Sequence, residues 1–192
     1  MHQMTFHRPG TLQQVQLLAE ENGLRVPLAE FLDEFYMDED PLNQKSRLLD
    51  APALSDDHVR NAFLGGVAEH LCMRWGLGSP PEWSNDLDRF LSKAVFIGPE
   101  RMKPILLAES PSAFRRRFIF TEAEPLRRSR MPRDLKWWAY ETERSGLIPD
   151  EEDIRLANEL SARHKARMLC CGVLDNIVNN HQTSDSTPLS NI

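Results

Sequence analysis

The chain has 192 residues, 41% of them hydrophobic and 27% charged, with a formal net charge of −6. That length carries one domain with a real core, and no apolar run approaches the roughly 20 residues that cross a bilayer. The first ten residues, MHQMTFHRPG, lack the apolar stretch of a secretory signal, so a cytoplasmic protein without membrane contact is expected.

Three cysteines, Cys72, Cys170 and Cys171, give no disulfide framework and no CxxC motif. They are expected to be reduced, small core residues.

In chain order, nearly every segment predicts helix. TLQQVQLLAEENG offers Thr11 as N-cap and Gly23 as stop. VPLAEFLDEFYMDED has Pro27 near its first turn and a stripe of Leu28, Phe31, Leu32, Phe35 and Tyr36 at helical period. DPLNQKSRLLDA repeats the recipe with Asp40 as cap and Pro41 in first position. In SDDHVRNAFLGGVAEHLCMRWG, Ser55 is the expected cap, and Val59, Phe63, Val67, Leu71 and Trp75 recur every four residues. Gly65-Gly66 inside that helix costs about 1 kcal/mol per glycine against alanine, which points to another helix crossing closely.

GSPPEWSNDLDRFL reads as a loop with a short helix. PILLAE and SPSAFRRR read as two short helices broken at Ser110-Pro111, with Ser110 placed to cap the restart. FIF could form a three-residue strand, but nothing nearby offers it a partner. RDLKWWAYETERSG is a helix stopped at Gly146. The last helix is capped by Asp150 and is expected to run to about Asn179. Ile154, Ala157, Leu160, His164, Met168, Cys171, Leu174 and Val178 predict a continuous buried seam along it. At 1.5 Å per residue it spans about 45 Å, enough to lie along the body or to pair with a second copy over 150–179.

The expected fold is thus all-α, an irregular multi-helix domain with a long C-terminal helix. Residues 1–133 form the main helical domain, 134–180 a two-helix extension packed on it, and 181–192 a disordered tail.

Catalytic and metal motifs are sparse. His164 shares a helical face with Cys171 and Met168, but no converging ligand set accompanies them, so no metal and no cofactor are expected. There is no GxSxG and no glycine-rich phosphate loop. An enzyme built from scattered residues would start from Glu109, Arg115 and His70, and that reading is the least favoured.

The distinctive feature is a basic belt. Between Arg101 and Arg133 nine arginines and lysines meet three glutamates, while the rest of the chain holds 14 basic and 26 acidic residues. Phe114 and Phe118 are four apart and are expected to anchor one helical face, with Arg115, Arg116 and Arg117 fanning outward. Arg127, Arg128 and Arg130 extend that surface. An acidic or anionic partner protein suits such a patch. Nucleic acid is the alternative, with arginines on phosphates, although a pI near 5.5 tilts against it. Salt bridges to the chain's own acids, such as those of EFLDEFYMDED, are the structural alternative for any one arginine.

The stretch LLAESPSAFRRRFIF…EPLRR, with LAEFLDEFY, AEHLCMRWGL and PEWSNDLDRFL before it, resembles a loose group of short helical bacterial proteins encoded beside nucleotidyltransferase-like proteins. Its specific part is Glu109-Ser110-Pro111 followed by Phe114-Arg115-Arg116-Arg117 and Ile119-Phe120. The resemblance covers about residues 25–130 and implies an antitoxin-like or regulatory partner, with no catalytic residue to carry over. The favoured expectation is therefore a non-enzymatic interaction protein, with a DNA-binding regulator as the alternative.

Overall fold

Side-chain caps fix most helix starts. The computed structural model describes residues 8–182, with side chains through Cys170, and contains eight α-helices over that span. Helix α1 (Leu12–Asn22) opens on Thr11, whose side chain accepts from the Gln14 N–H, and ends at Gly23 with φ 73°. Helix α2 (Arg25–Met37) packs on α1 and buries the whole expected stripe from Leu28 to Tyr36. Helix α3 (Pro41–Leu49) is capped by Asp40, which accepts from the Leu42 N–H at 2.9 Å.

Helix α4 (His58–Trp75) is the central element. Asp57 caps it rather than Ser55, accepting from the Arg60 N–H at 3.0 Å. Ser55 is held outside the helix by Asn61, whose amide donates to the Ser55 carbonyl at 2.7 Å. Val59 is exposed and Phe63 only partly buried, yet Glu69, His70 and Arg74 are buried. The four-residue repeat marks one stripe, whereas neighbours cover this helix on nearly every side. Gly65 and Gly66 are the reason they can. A Cβ on Gly66 would lie 2.7 Å from Cδ1 of Phe114, and one on Gly65 would lie 3.0 Å from Nε of Arg117.

Two short 3-10 turns follow, Glu82–Asn85 and Leu87–Arg89. The strand that FIF could form exists over two residues and, against expectation, has a partner: β2 (Ile119–Phe120) pairs in parallel with β1 (Val95–Phe96), Val95 opposite Ile119. Two residues are too short to show a period-two pattern, so the partner left no readable signal. Between the strands lie α5 (Lys103–Glu109) and the single turn α6 (Ser112–Arg115). Helix α7 (Leu135–Ser145) is capped by Asp134 and stopped by Gly146, and α8 (Glu151–Gln182) follows.

One apolar core joins Leu12 and Val15 of α1, the aromatic face of α2, most of α4, Trp137 and Trp138 of α7 and Ala157 of α8. Helix α8 comes close to the end of α4 because Gly76 sits there in the left-handed region. A Cβ on Gly76 would be 3.1 Å from Cβ of Arg167. The predicted seam of α8 is only partly buried: Ala157 is inside, Leu160 and His164 are half-buried, and Ile154 and Met168 face solvent. Cys171, Leu174 and Val178 lie outside the residues whose side chains are described. The helix continues through Gln182, past the position where the tail was expected to begin; residues 183–192 lie outside the described residues. Cys72 is buried as expected, but Cys170 is exposed because it lies beyond the packed part of α8. Among the described residues no helix is long and apolar enough to cross a membrane.

Candidate functional site

The basic belt folds around a sharp elbow between α5 and β2. Ser110 does not cap α6. Its hydroxyl lies 2.6 Å from the Leu106 carbonyl and 3.0 Å from that of Thr121, and accepts from the Thr121 N–H at 2.6 Å. Ser110 thus staples the end of α5 to the residue after β2, and Pro111 turns the chain into α6. The Arg117 and Phe118 N–H groups close the turn on the carbonyls of Phe114 and Arg115. Ile119 and Phe120 then enter the sheet.

The arginines split into inner and outer sets, which corrects the expectation that Arg115, Arg116 and Arg117 all fan outward. Arg117 is fully buried. Its guanidinium donates to Glu69 Oε2, to the Ala113 carbonyl at 2.7 Å and to the Ser84 carbonyl at 2.6 Å, and lies 4.8 Å above the Phe90 ring. Burial draws the Arg117 pKa down from its ordinary value, against the pull of Glu69. Arg116 reaches the other oxygen of Glu69 at 3.1 Å and Asn85 at 3.0 Å, but stays half-exposed. Among the described residues Arg115 meets no carboxylate; it caps the end of α5 by donating to the carbonyls of Ala108 and Ser110.

The phenylalanines divide as well. Phe114 is fully buried against Gly66 and Phe63. Phe118 does not share its face, because α6 ends before it. Phe118 takes φ 57° and is 50% exposed. It is the only non-glycine residue at positive φ among those described.

Further along the belt, Arg128 grips Asp33 with two hydrogen bonds of 3.1 and 2.7 Å and holds that carboxyl below its usual range. Arg127 pairs with Glu141. Arg130 is exposed, and its contact is the sulfur of Met37 rather than an acid.

A second ionic cluster escaped sequence reading altogether. Arg74, near the end of α4, donates twice to Asp134 at 2.6 and 2.7 Å and once to Glu124 at 3.1 Å, with all three side chains buried. Asp134 also accepts from the Trp137 N–H at 2.9 Å, so the cap of α7 is locked to α4. Burial pushes the Asp134 carboxyl upward, yet His164, Arg74 and that N–H together hold it well below the ordinary range. The signal available was Glu69 and Arg74 standing inside an otherwise apolar helix, where a buried charge requires a partner.

His70 and Glu109, two of the residues an enzyme reading would use, do not converge. Burial pushes the His70 pKa down to about 3, helped by the positive charges of Lys136 and Arg74, and its ring lies 5.6 Å from Phe114. Glu109 is on the surface. Because the folded His70 value lies below the unfolded value of about 6.5, the unfolded chain binds the extra proton first. Stability should fall as pH drops below 6.5, by about 2 kcal/mol between pH 7 and pH 5. Urea unfolding at the two pH values checks this, and His70→Leu should remove most of the difference.

Among the described residues no group of three or more His, Cys, Asp and Glu gathers to hold a metal. No protein-family model, curated protein or solved structure matches the chain.

Proposed function

We propose that the chain is a non-enzymatic interaction protein that presents the Phe118 elbow, with Arg115 and the free side of Arg116, to an acidic partner protein. One observation carries this reading: a bulky aromatic residue is held half-exposed in the left-handed backbone region. That conformation costs about 1–2 kcal/mol for a residue with a Cβ, and such strain clusters at functional positions. Glycine would satisfy the turn without it. Exposed aromatics beside arginines are also the residue types enriched at binding hot spots.

Most of the remaining belt holds the fold together, so Arg117, Arg127, Arg128 and Phe114 are assigned structural roles. The resemblance of the Glu109–Phe120 stretch supports an antitoxin-like regulatory role beside a nucleotidyltransferase-like protein. Within that motif, Ser110, Phe114 and Arg117 are turned wholly inward, whereas Phe118 and the exposed sides of Arg115 and Arg116 remain for contact.

Phe118→Gly separates the two roles. It should leave stability unchanged or raise it by up to about 1 kcal/mol, since relief of strain opposes the glycine entropy cost. It should weaken capture of the adjacent gene's product at least tenfold, and Arg115→Gln should act in the same direction. Wild-type capture by both variants would overturn the proposal. Binding to DNA that falls steeply with salt, in place of partner capture, would favour the nucleic-acid alternative.

A further inference from the structure

A cavity of about 280 Å³ lies between α8 and the α2–α3 corner, floored by Trp75 at the end of α4. That is close to the lower end of the about 300–1,000 Å³ typical of small-molecule sites. Its two sides carry opposite chemistry. Helix α8 contributes Arg163, His164 and Arg167, whereas the α2–α3 side contributes Glu39 and Gln44.

Three side chains of this wall carry a buried polar atom without a hydrogen-bond partner: the Trp75 Nε1–H donor, the Gln44 Oε1 acceptor and His164 Nδ1, which lies 3.5 Å from Asp134 Oδ2. Trp75 is 2% exposed and Gln44 6%. Gln44 cannot resolve its orphan by flipping, because its amide nitrogen already donates to the Phe35 carbonyl at 3.1 Å. Arg163 and Arg167, one turn apart on α8, form no ion pair among the described residues. Like charges at that spacing repel, and an anion between them would relieve the repulsion. Asp38, also in the wall, is occupied by Arg47 at 3.2 Å, whereas Glu39 lines the same side and forms no ion pair among the described residues.

We propose that this cavity binds a small zwitterion. Its phosphate or carboxylate end would lie against Arg163, Arg167 and the Trp75 indole N–H, and its amine against Gln44 Oε1 and Glu39. Forked guanidinium donors suit such anions. An indole N–H that is buried without a partner gains most from an added acceptor. This inference uses none of the elbow residues and stands apart from the partner-docking proposal.

The test follows the Trp75 indole resonance in a ¹H–¹⁵N spectrum, assigned by its loss in Trp75→Phe. Four probes are titrated into the full chain: phosphoethanolamine, β-alanine, ethyl phosphate and ethanolamine. At least one zwitterion should shift the resonance saturably and bind ten times more tightly than either single-charge probe. The two zwitterions distinguish a phosphate from a carboxylate end. The paired substitutions Arg163→Gln and Arg167→Gln, which keep the aliphatic stems, should abolish the shift while leaving thermal unfolding in place. No shift beyond that of sodium chloride at matched ionic strength overturns the site. Equal binding of ethyl phosphate overturns the amine end, and an unchanged response in the double variant overturns the assignment of the arginines.

Discussion

Arg74→Met is expected to destabilise the protein by about 3–5 kcal/mol, the cost of leaving buried carboxylates without their counter-charge. Arg74 serves Glu124 and Asp134 together, and both are nearly inaccessible to water. Two groups remain near the acids: His164, whose Nδ1 lies 3.5 Å from Asp134, and Lys136, whose ammonium is mostly exposed and lies 3.7 Å from Glu124. The loss should also move with pH. Asp134 is held ionised at unusually low pH in the folded chain, so its contribution is complete above the unfolded value of about 3.9 and fades as pH falls below it. Removing Arg74 raises the folded pKa of Asp134, so acid unfolding should begin at higher pH. Urea unfolding at neutral pH and an acid titration followed by circular dichroism measure both effects. Adding Glu124→Gln and Asp134→Asn to Arg74→Met should recover part of the loss, because asparagine still caps α7 and no buried charge remains. A cost near zero for the single variant would mean the cluster is hydrated.

The second large effect concerns Glu69. Glu69→Gln should cost about 3–5 kcal/mol, and Arg117→Met clearly less. The asymmetry comes from Arg116. When Arg117 is lost, Glu69 keeps a half-exposed guanidinium at 3.1 Å. When Glu69 is lost, Arg117 remains fully buried with the carbonyls of Ala113 and Ser84 and the Phe90 ring to face, and no counter-charge. The double variant should be more stable than the sum of the two single losses predicts, because each removes the other's unpaired charge. A double-mutant cycle in urea checks the order; equal single costs that simply add would contradict the paired geometry.

The all-α architecture was legible because local signals agreed with the tertiary fold. Thr11, Asp40, Gly23 and Gly146 act at the positions their chemistry predicts, and the α2 stripe is buried as its period requires. Gly65-Gly66 correctly signalled close approach, although what approaches is the Phe114 ring and the Arg117 side chain. The elbow was not legible. Four-residue spacing between Phe114 and Phe118 implies a shared face only if the helix persists, and α6 ends at Arg115. Nor does an arginine triplet declare which member turns inward. That depends on Glu69, 48 residues earlier in sequence, and on the gap left by a missing Cβ at Gly65. The Trp75 cavity requires α8 to fold back over α4, a long-range event with no local pattern.

The division of the belt into buried clamps and outward-facing groups can be read directly from hydrogen exchange of the arginine Nε–H groups at neutral pH. Arg74 and Arg117 should give sharp, slowly exchanging signals, while those of Arg115 and Arg130 should be broadened by exchange with water. An Arg117 signal that exchanges as fast as that of Arg115 would place its guanidinium in solvent and contradict the account.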